Sequence, residues 1–137
     1  MYRLAFCPRA EADRAFALPA EIRERFSAEE LAELEALPER RRRDRIAGRL
    51  AAKRALAAHF SAEYGWDAQA QELVIANDTD GRPLLRLPKG APASAPSFSI
   101  AHCAAGGAAA AAAPGRRVGI DFELVVSRPA AVIAMDR

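Results

Sequence analysis

The stretch "FSIAHCAAGGAAAAAAPGRRVGIDFE", Phe98–Glu123, decides the architecture, because its alanine-rich middle can be read in two ways. By propensity alone, the six alanines from Ala108 to Ala113 are helical. Gly106-Gly107 before them and Pro114-Gly115 after them would leave a short helix with poor ends. Small residues can equally fill a strand pressed tightly between layers. With "SFSIAH" before it and "RVGIDFEL" after it, both plausible strands, the run is read as a strand. The stretch then gives three antiparallel strands in succession.

Upstream, "ELVIA" is β-rich, and "NDTDGRP" is dense in turn formers, with Asp80-Gly81 suited to a hairpin that leads into "LLRL". Asp78 and Asp80 do not make a calcium loop, because the remaining ligands and the closing Glu are missing. "PKGAPASAP" reads as a surface loop. Further back the period changes to that of helices. Ser27 and Glu30 form a capping box for a short helix that Pro38 ends. Pro38 then opens the longest helix, "ERRRRDRIAGRLAAKRALAAHF", which is expected to reach Phe60. Gly48 inside it costs about 1 kcal/mol relative to Ala, and a close packing contact would explain it. The expected fold class is α+β: N-terminal helices packed on a small antiparallel sheet, in a single domain. The helical part is placed at about residues 20–65 and the β-rich part at about 70–126.

The long helix has two distinct faces. Ile46, Leu50, Ala57 and Phe60 lie on or near the core side, while Arg41, Arg45, Arg49 and Lys53 form a stripe at four-residue spacing. Such a stripe is either a solvated face or an anion site, since like charges at that spacing repel and an anionic ligand relieves them.

The totals bound the answer. The chain has 137 residues, enough for one modest core. It is 51% apolar and 28% charged, a globular composition, and its net charge of +2 names no partner. It contains no apolar run long enough to span a membrane, and charges interrupt the N-terminal "MYRLAFCPRAEADRAF", so neither a membrane partner nor a signal peptide is expected. Cys7 and Cys103 stand apart, make a poor zinc set with His59 and His102, and suit a reducing cytoplasm.

Asp121 and Glu123 carry the chemistry. On a strand they project to one face, with Ile120 and Phe122 turned to the other. Paired carboxylates resist ionising unless a cation joins them. Mg²⁺ suits them, because it takes one or two protein carboxylates, keeps waters and fills its octahedron from phosphates. Alone, such a pair is also compatible with the polar face of an edge strand. His102 closes the preceding strand, and Arg82 sits in the "DGRP" turn; each also has an ordinary structural reading.

In combination and order, these stretches resemble the 4′-phosphopantetheinyl transferase superfamily, specifically the N-terminal portion of its large, two-domain (Sfp) type. "RRRDRIAGRLAAKRAL" is similar to the family's basic helix and "DGRP" to its G-[KR]-P turn. "FSIAHC" is similar to its F-[NS]-I-S-H-[SC] strand and "VGIDFE" to its G-[IV]-D-x-E metal motif. The resemblance runs from about Arg40 to Arg128, ending with "SR" at Ser127-Arg128. It implies a Mg²⁺-dependent transfer of 4′-phosphopantetheine from coenzyme A to a serine of an acyl or peptidyl carrier protein, the holo-acyl-carrier-protein synthase reaction, in the cytoplasm. By the resemblance, Asp121 and Glu123 hold Mg²⁺ against the diphosphate, and His102 and Arg82 contact phosphates, with Arg45 and Arg49 contributing from the helix. Asp121, Glu123 and His102 are the expected catalytic set.

Ala101 stands where the family has Ser, which removes one hydroxyl from the phosphate site. The family's second half, with its W-x-x-K-E-[AS]-x-x-K motif, has no counterpart here, so the sequence reads as one pseudo-half. Its apolar surfaces, including the tail "PAAVIAM", are then expected to make it marginally stable or self-associating. A non-catalytic module binding coenzyme A or a carrier protein is the alternative. A nucleic-acid-binding domain built on Arg40–Lys53 is disfavoured, since it leaves the carboxylates unexplained and offers few aromatic platforms.

Overall fold

The computed structural model describes the backbone of residues 2–125 and 128–136 and the side chains of residues 2–121. It is an α+β fold in which one long helix lies across a small antiparallel sheet. The elements in chain order are β1 (Tyr2–Pro8), α1 (Arg9–Ala17), α2 (Pro19–Arg25), α3 (Ala28–Glu35), α4 (Glu39–Tyr64), β2 (Val74–Asn77), β3 (Pro83–Arg86), β4 (Ser97–Cys103), β5 (Gly106–Ala112), β6 (Arg117–Val125) and β7 (Arg128–Asp136).

The alanine run is a strand. Every residue of β5 is buried, with β1 on one edge and β4 on the other, both antiparallel. Ala109 and Ala111 belong to the main core, which α4 fills, and Ala108 and Ala110 join a second cluster with Ile120 of β6. Only side chains this small let the helix and the second layer approach both faces so closely. The approach is closest at two glycines. A Cβ on Gly107 would lie 2.3 Å from the Ala47 carbonyl oxygen, and one on Gly48 would lie 2.8 Å from Ile100 Cγ2. The packing contact expected at Gly48 is therefore present.

Three expectations need correction. Of the strands in Phe98–Glu123, β4 and β5 pair in succession as expected, but β6 does not continue the meander: it pairs with β7 and lies against β4 and β5. The reason is that β1 already occupies the second edge of β5. The chain also opens with a strand and continues into α1, so helix and strand do not divide at residues 20 and 70. The tail containing "PAAVIAM" forms β7 beside β6, although its side chains lie outside the described residues. Finally, α4 runs one turn past Phe60 to Tyr64, where Gly65 (φ 64°) ends it and its N–H caps the Ser61 carbonyl.

The capping box forms as read. Ser27 Oγ accepts from the Glu30 N–H at 3.2 Å, and Glu30 Oε1 accepts from the Ser27 N–H at 3.0 Å. Glu30 does more than cap. It is 3% exposed, receives Lys53 Nζ at 2.8 Å, and accepts from the Ile75 N–H at 3.2 Å. Lys53 in turn donates to the carbonyls of Ala70 at 2.7 Å and Leu73 at 2.8 Å. One buried pair thus ties α3, α4 and the entry to β2 together. Burial pushes the Lys53 ammonium below its ordinary value, and Glu30 pulls it part of the way back.

His59 gives a pH dependence. It is buried on α4 edge-on to Phe60 and Tyr64, and its Nε2 has no hydrogen-bond partner among the described residues. Burial lowers its pKa below 6.5; Glu63 opposes this and Arg3 adds to it. Below pH 6.5 the unfolded chain binds a proton that the folded one refuses, so the contribution present above that pH is lost as the pH falls. Urea midpoints at pH 7.5 and 5.5 should differ more for the native chain than for His59→Phe; equal differences would show that His59 does not titrate on unfolding.

Candidate functional site

Arg82 is held by an unusually well-tied turn. Asp78 Oδ1 accepts from the backbone N–H groups of both Asp80 and Arg82 at 2.8 Å, and the Asp78 N–H donates to the Arg82 carbonyl at 2.8 Å. Gly81 takes φ +83°, which L side chains rarely adopt, and Pro83 stiffens the exit into β3. The aspartate that a calcium reading would use thus builds the turn. Arg49 anchors the same hairpin from α4. It donates from Nη1 to the Ile75 carbonyl and from Nη2 to Asn77 Oδ1 at 3.1 Å.

The close crossing at Gly48 sets α4 over β4, and the hairpin closes the third side. Between them lies a cleft of about 550 Å³ lined by Arg41, Arg45, Arg49, Arg82, Ser99 and His102, among others. Four residues singled out in the sequence, Arg45, Arg49, Arg82 and His102, therefore line one cavity. Their states differ. Arg49 is 4% exposed and 3.6 Å from Glu33, and Arg45 is ion-paired with Glu33. Desolvation lowers the Arg49 pKa, and Glu33 opposes this. Arg82 and His102 carry no side-chain partner among the described residues, nor does Arg41, which the sequence reading left out of the site. The signal for Arg41 was available: it lies one helical step before Arg45 in the same stripe.

The stripe is neither wholly solvated nor wholly an anion site. It runs from exposed Arg41 into the core at Arg49 and Lys53, and Glu33 and Glu30 of α3 relieve its repulsion. Arg42 and Arg43 are also engaged, Arg42 with the Leu34 and Leu37 carbonyls and Arg43 with Asp13 and Glu39.

Asp121 lies on β6, exposed and without an ion pair or hydrogen bond among the described residues. The backbone of β6 places Glu123 on the same strand face, and its side chain lies outside the described residues. Asp121 is not among the described residues that line the basic cleft. Among the described residues no three His, Cys, Asp or Glu side chains cluster as a metal site. Cys7 is buried, which raises its pKa, and neither it nor Cys103 is in a disulfide. No described helix is long and apolar enough to cross a membrane.

This architecture is the one adopted by solved holo-acyl-carrier-protein synthases. The apo ACPS of Chronobacterium ammoniagenes matches with a TM-score of 0.68 at 20% identity, over 81% of this chain and 93% of that one. The ACPS–CoA complex from the same organism gives 0.65 at 20% identity, over 80% and 92%. The holo-(acyl-carrier-protein) synthase of Bacillus anthracis strain Ames in complex with CoA (3′,5′-ADP) gives 0.63 at 19% identity, over 80% and 91%. No family model and no curated protein matches the sequence. At these identities the likeness is one of fold. The sequence reading placed the chain with the large type; the solved structures it resembles are ACPS chains, and it spans more than nine-tenths of each.

Proposed function

We propose that this chain binds coenzyme A in the basic cleft and transfers its 4′-phosphopantetheine to a serine of an acyl or peptidyl carrier protein in the cytoplasm. One observation carries the reading: Arg41, Arg82 and His102, cations or potential cations from three different elements, face one cavity without side-chain partners among the described residues. The fold that forms this cavity has solved examples bound to CoA. In the proposed reaction the serine oxygen bonds to the β-phosphorus, its proton goes to solvent, and the bond to the bridging oxygen breaks to release 3′,5′-ADP. Such chemistry depends on positioning and charge neutralisation.

Asp121 and Glu123 are the proposed Mg²⁺ ligands. Asp121 is exposed and unengaged among the described residues, and two carboxylates on one strand face suit an ion that leaves its other positions to phosphate and water. Mg²⁺ would supply neutralisation of the diphosphate. The assignment to the large two-domain type rests on the motif order and forms part of the proposal.

The test is the intact mass of an apo carrier protein incubated with the chain, coenzyme A and Mg²⁺. The carrier should gain one phosphopantetheine, and Asp121→Ala should slow the gain by about 100-fold or more. A second reading is a binding half-domain without turnover, which the cationic cleft supports by itself. It gives saturable coenzyme A binding, weakened by Arg82→Ala and His102→Ala, with no mass gain.

A further inference from the structure

Asn77 stands where the hairpin meets the cleft. It ends β2 opposite Pro83, the residue after Arg82, and it is exposed and lines the same cavity as Arg82 and His102. Its Oδ1 accepts from Arg49 Nη2 at 3.1 Å. A guanidinium donates and cannot accept, so the amide has one orientation, with its oxygen toward Arg49 and Nδ2 away from it. No acceptor among the described residues meets Nδ2. A neutral pair of N–H donors is therefore left over at the cleft, close to Arg82.

Arg49 holds that amide in place. It is 4% exposed, and it donates to the Ile75 carbonyl and to Asn77, so one guanidinium grips β2 at two points. Packing locks such a side chain, and the amide it holds is fixed with it. We propose, on the basis of the coenzyme A reading, that Asn77 Nδ2 donates to a phosphate oxygen of the ligand beside Arg82, and that Arg49 is a positioning residue acting through this amide. Arg49 thus serves the site from the core, and Asn77, which the sequence reading passed over, makes the contact.

Asn77→Asp is the isosteric test, because a carboxylate still accepts from Arg49 but has no proton to donate. The variant should melt no lower than the native chain, yet bind coenzyme A about 30-fold more weakly in isothermal titration calorimetry. Asn77→Ala, which adds no charge, should weaken binding by about tenfold. Salt separates contact from distant repulsion: repulsion fades between about 0.1 and 0.5 M, whereas a lost contact keeps its ratio to the native affinity. A merely structural role gives the opposite pairing, a lower melting temperature with unchanged affinity. Asn77→Ala within about twofold of native affinity, or a loss in Asn77→Asp that salt abolishes, would overturn the contact and leave the coenzyme A reading intact. A lower melting temperature for Asn77→Asp would overturn the orientation by Arg49. A native chain that does not bind coenzyme A would overturn that reading and the role of Asn77 with it.

Discussion

Lys53→Met is expected to lower the unfolding free energy by about 3–5 kcal/mol, the cost of breaking a buried ion pair by removing one partner. In a chain of 137 residues that corresponds to a fall of about 10 °C in melting temperature. The loss is large because both side chains are almost fully enclosed, at 3% and 2% exposure, so solvent does not screen the pair. The substitution leaves the Glu30 carboxylate buried without its cation and also removes the donor to the Ala70 and Leu73 carbonyls. Adding Glu30→Gln should recover only part of the loss: it removes the buried charge, but its single amide oxygen can accept from only one of the Ser27 and Ile75 N–H groups, which Glu30 meets with separate oxygens. Urea denaturation of the four proteins in this cycle measures the coupling. A loss under about 1 kcal/mol for Lys53→Met would show that water reaches the pair. The effect also reaches the site, because the residues tied by Lys53 lead into the hairpin that carries Arg82.

Gly107→Ala is expected to cost about 3 kcal/mol, the upper end of the overpacking range. The new methyl would meet backbone on α4, with the Ala47 carbonyl carbon at 2.4 Å and the Gly48 nitrogen at 2.6 Å. Backbone in mid-helix cannot swing aside as a side chain can, so α4 must lift from the sheet. Lifting it moves Arg41 and Arg45 away from His102, which pairs with Gly107 across β4 and β5. Stability and, on the proposed reading, coenzyme A affinity should therefore fall together. Ala109, on the same face, already carries a methyl; there Ala109→Gly leaves the helix in place. Full stability in Gly107→Ala would mean that the two layers slide apart at little cost.

Much of the site was legible because its parts are local. Asp78, Asp80-Gly81 and Pro83 specify a turn through bonds within a few residues, so Arg82 could be placed at its tip before any tertiary contact was known. His102 could likewise be placed near the end of its strand. The capping box at Ser27 and Glu30 is equally local. The engagement of the basic helix was not legible. Arg41, Arg45, Arg49 and Lys53 have nearly the same spacing and chemistry, yet Arg49 and Lys53 brace the core while Arg41 stays exposed. That division depends on where α3 brings Glu33 and Glu30, tens of residues away in the case of Lys53.

The same distinction governs the strands. Local pattern alone makes Gly106–Ala112 extended, since glycine and proline punctuation denies an alanine run the length a helix needs. It also determined the β2–β3 hairpin and the starts of α3 and α4. Contacts between distant segments settle that β1 takes the free edge of β5, which turns β6 away to pair with β7. They also settle which arginines face the cleft. Turns and caps are fixed by bonds a few residues long, whereas edge pairing and charge burial are settled between segments that meet only once the chain has closed on its core.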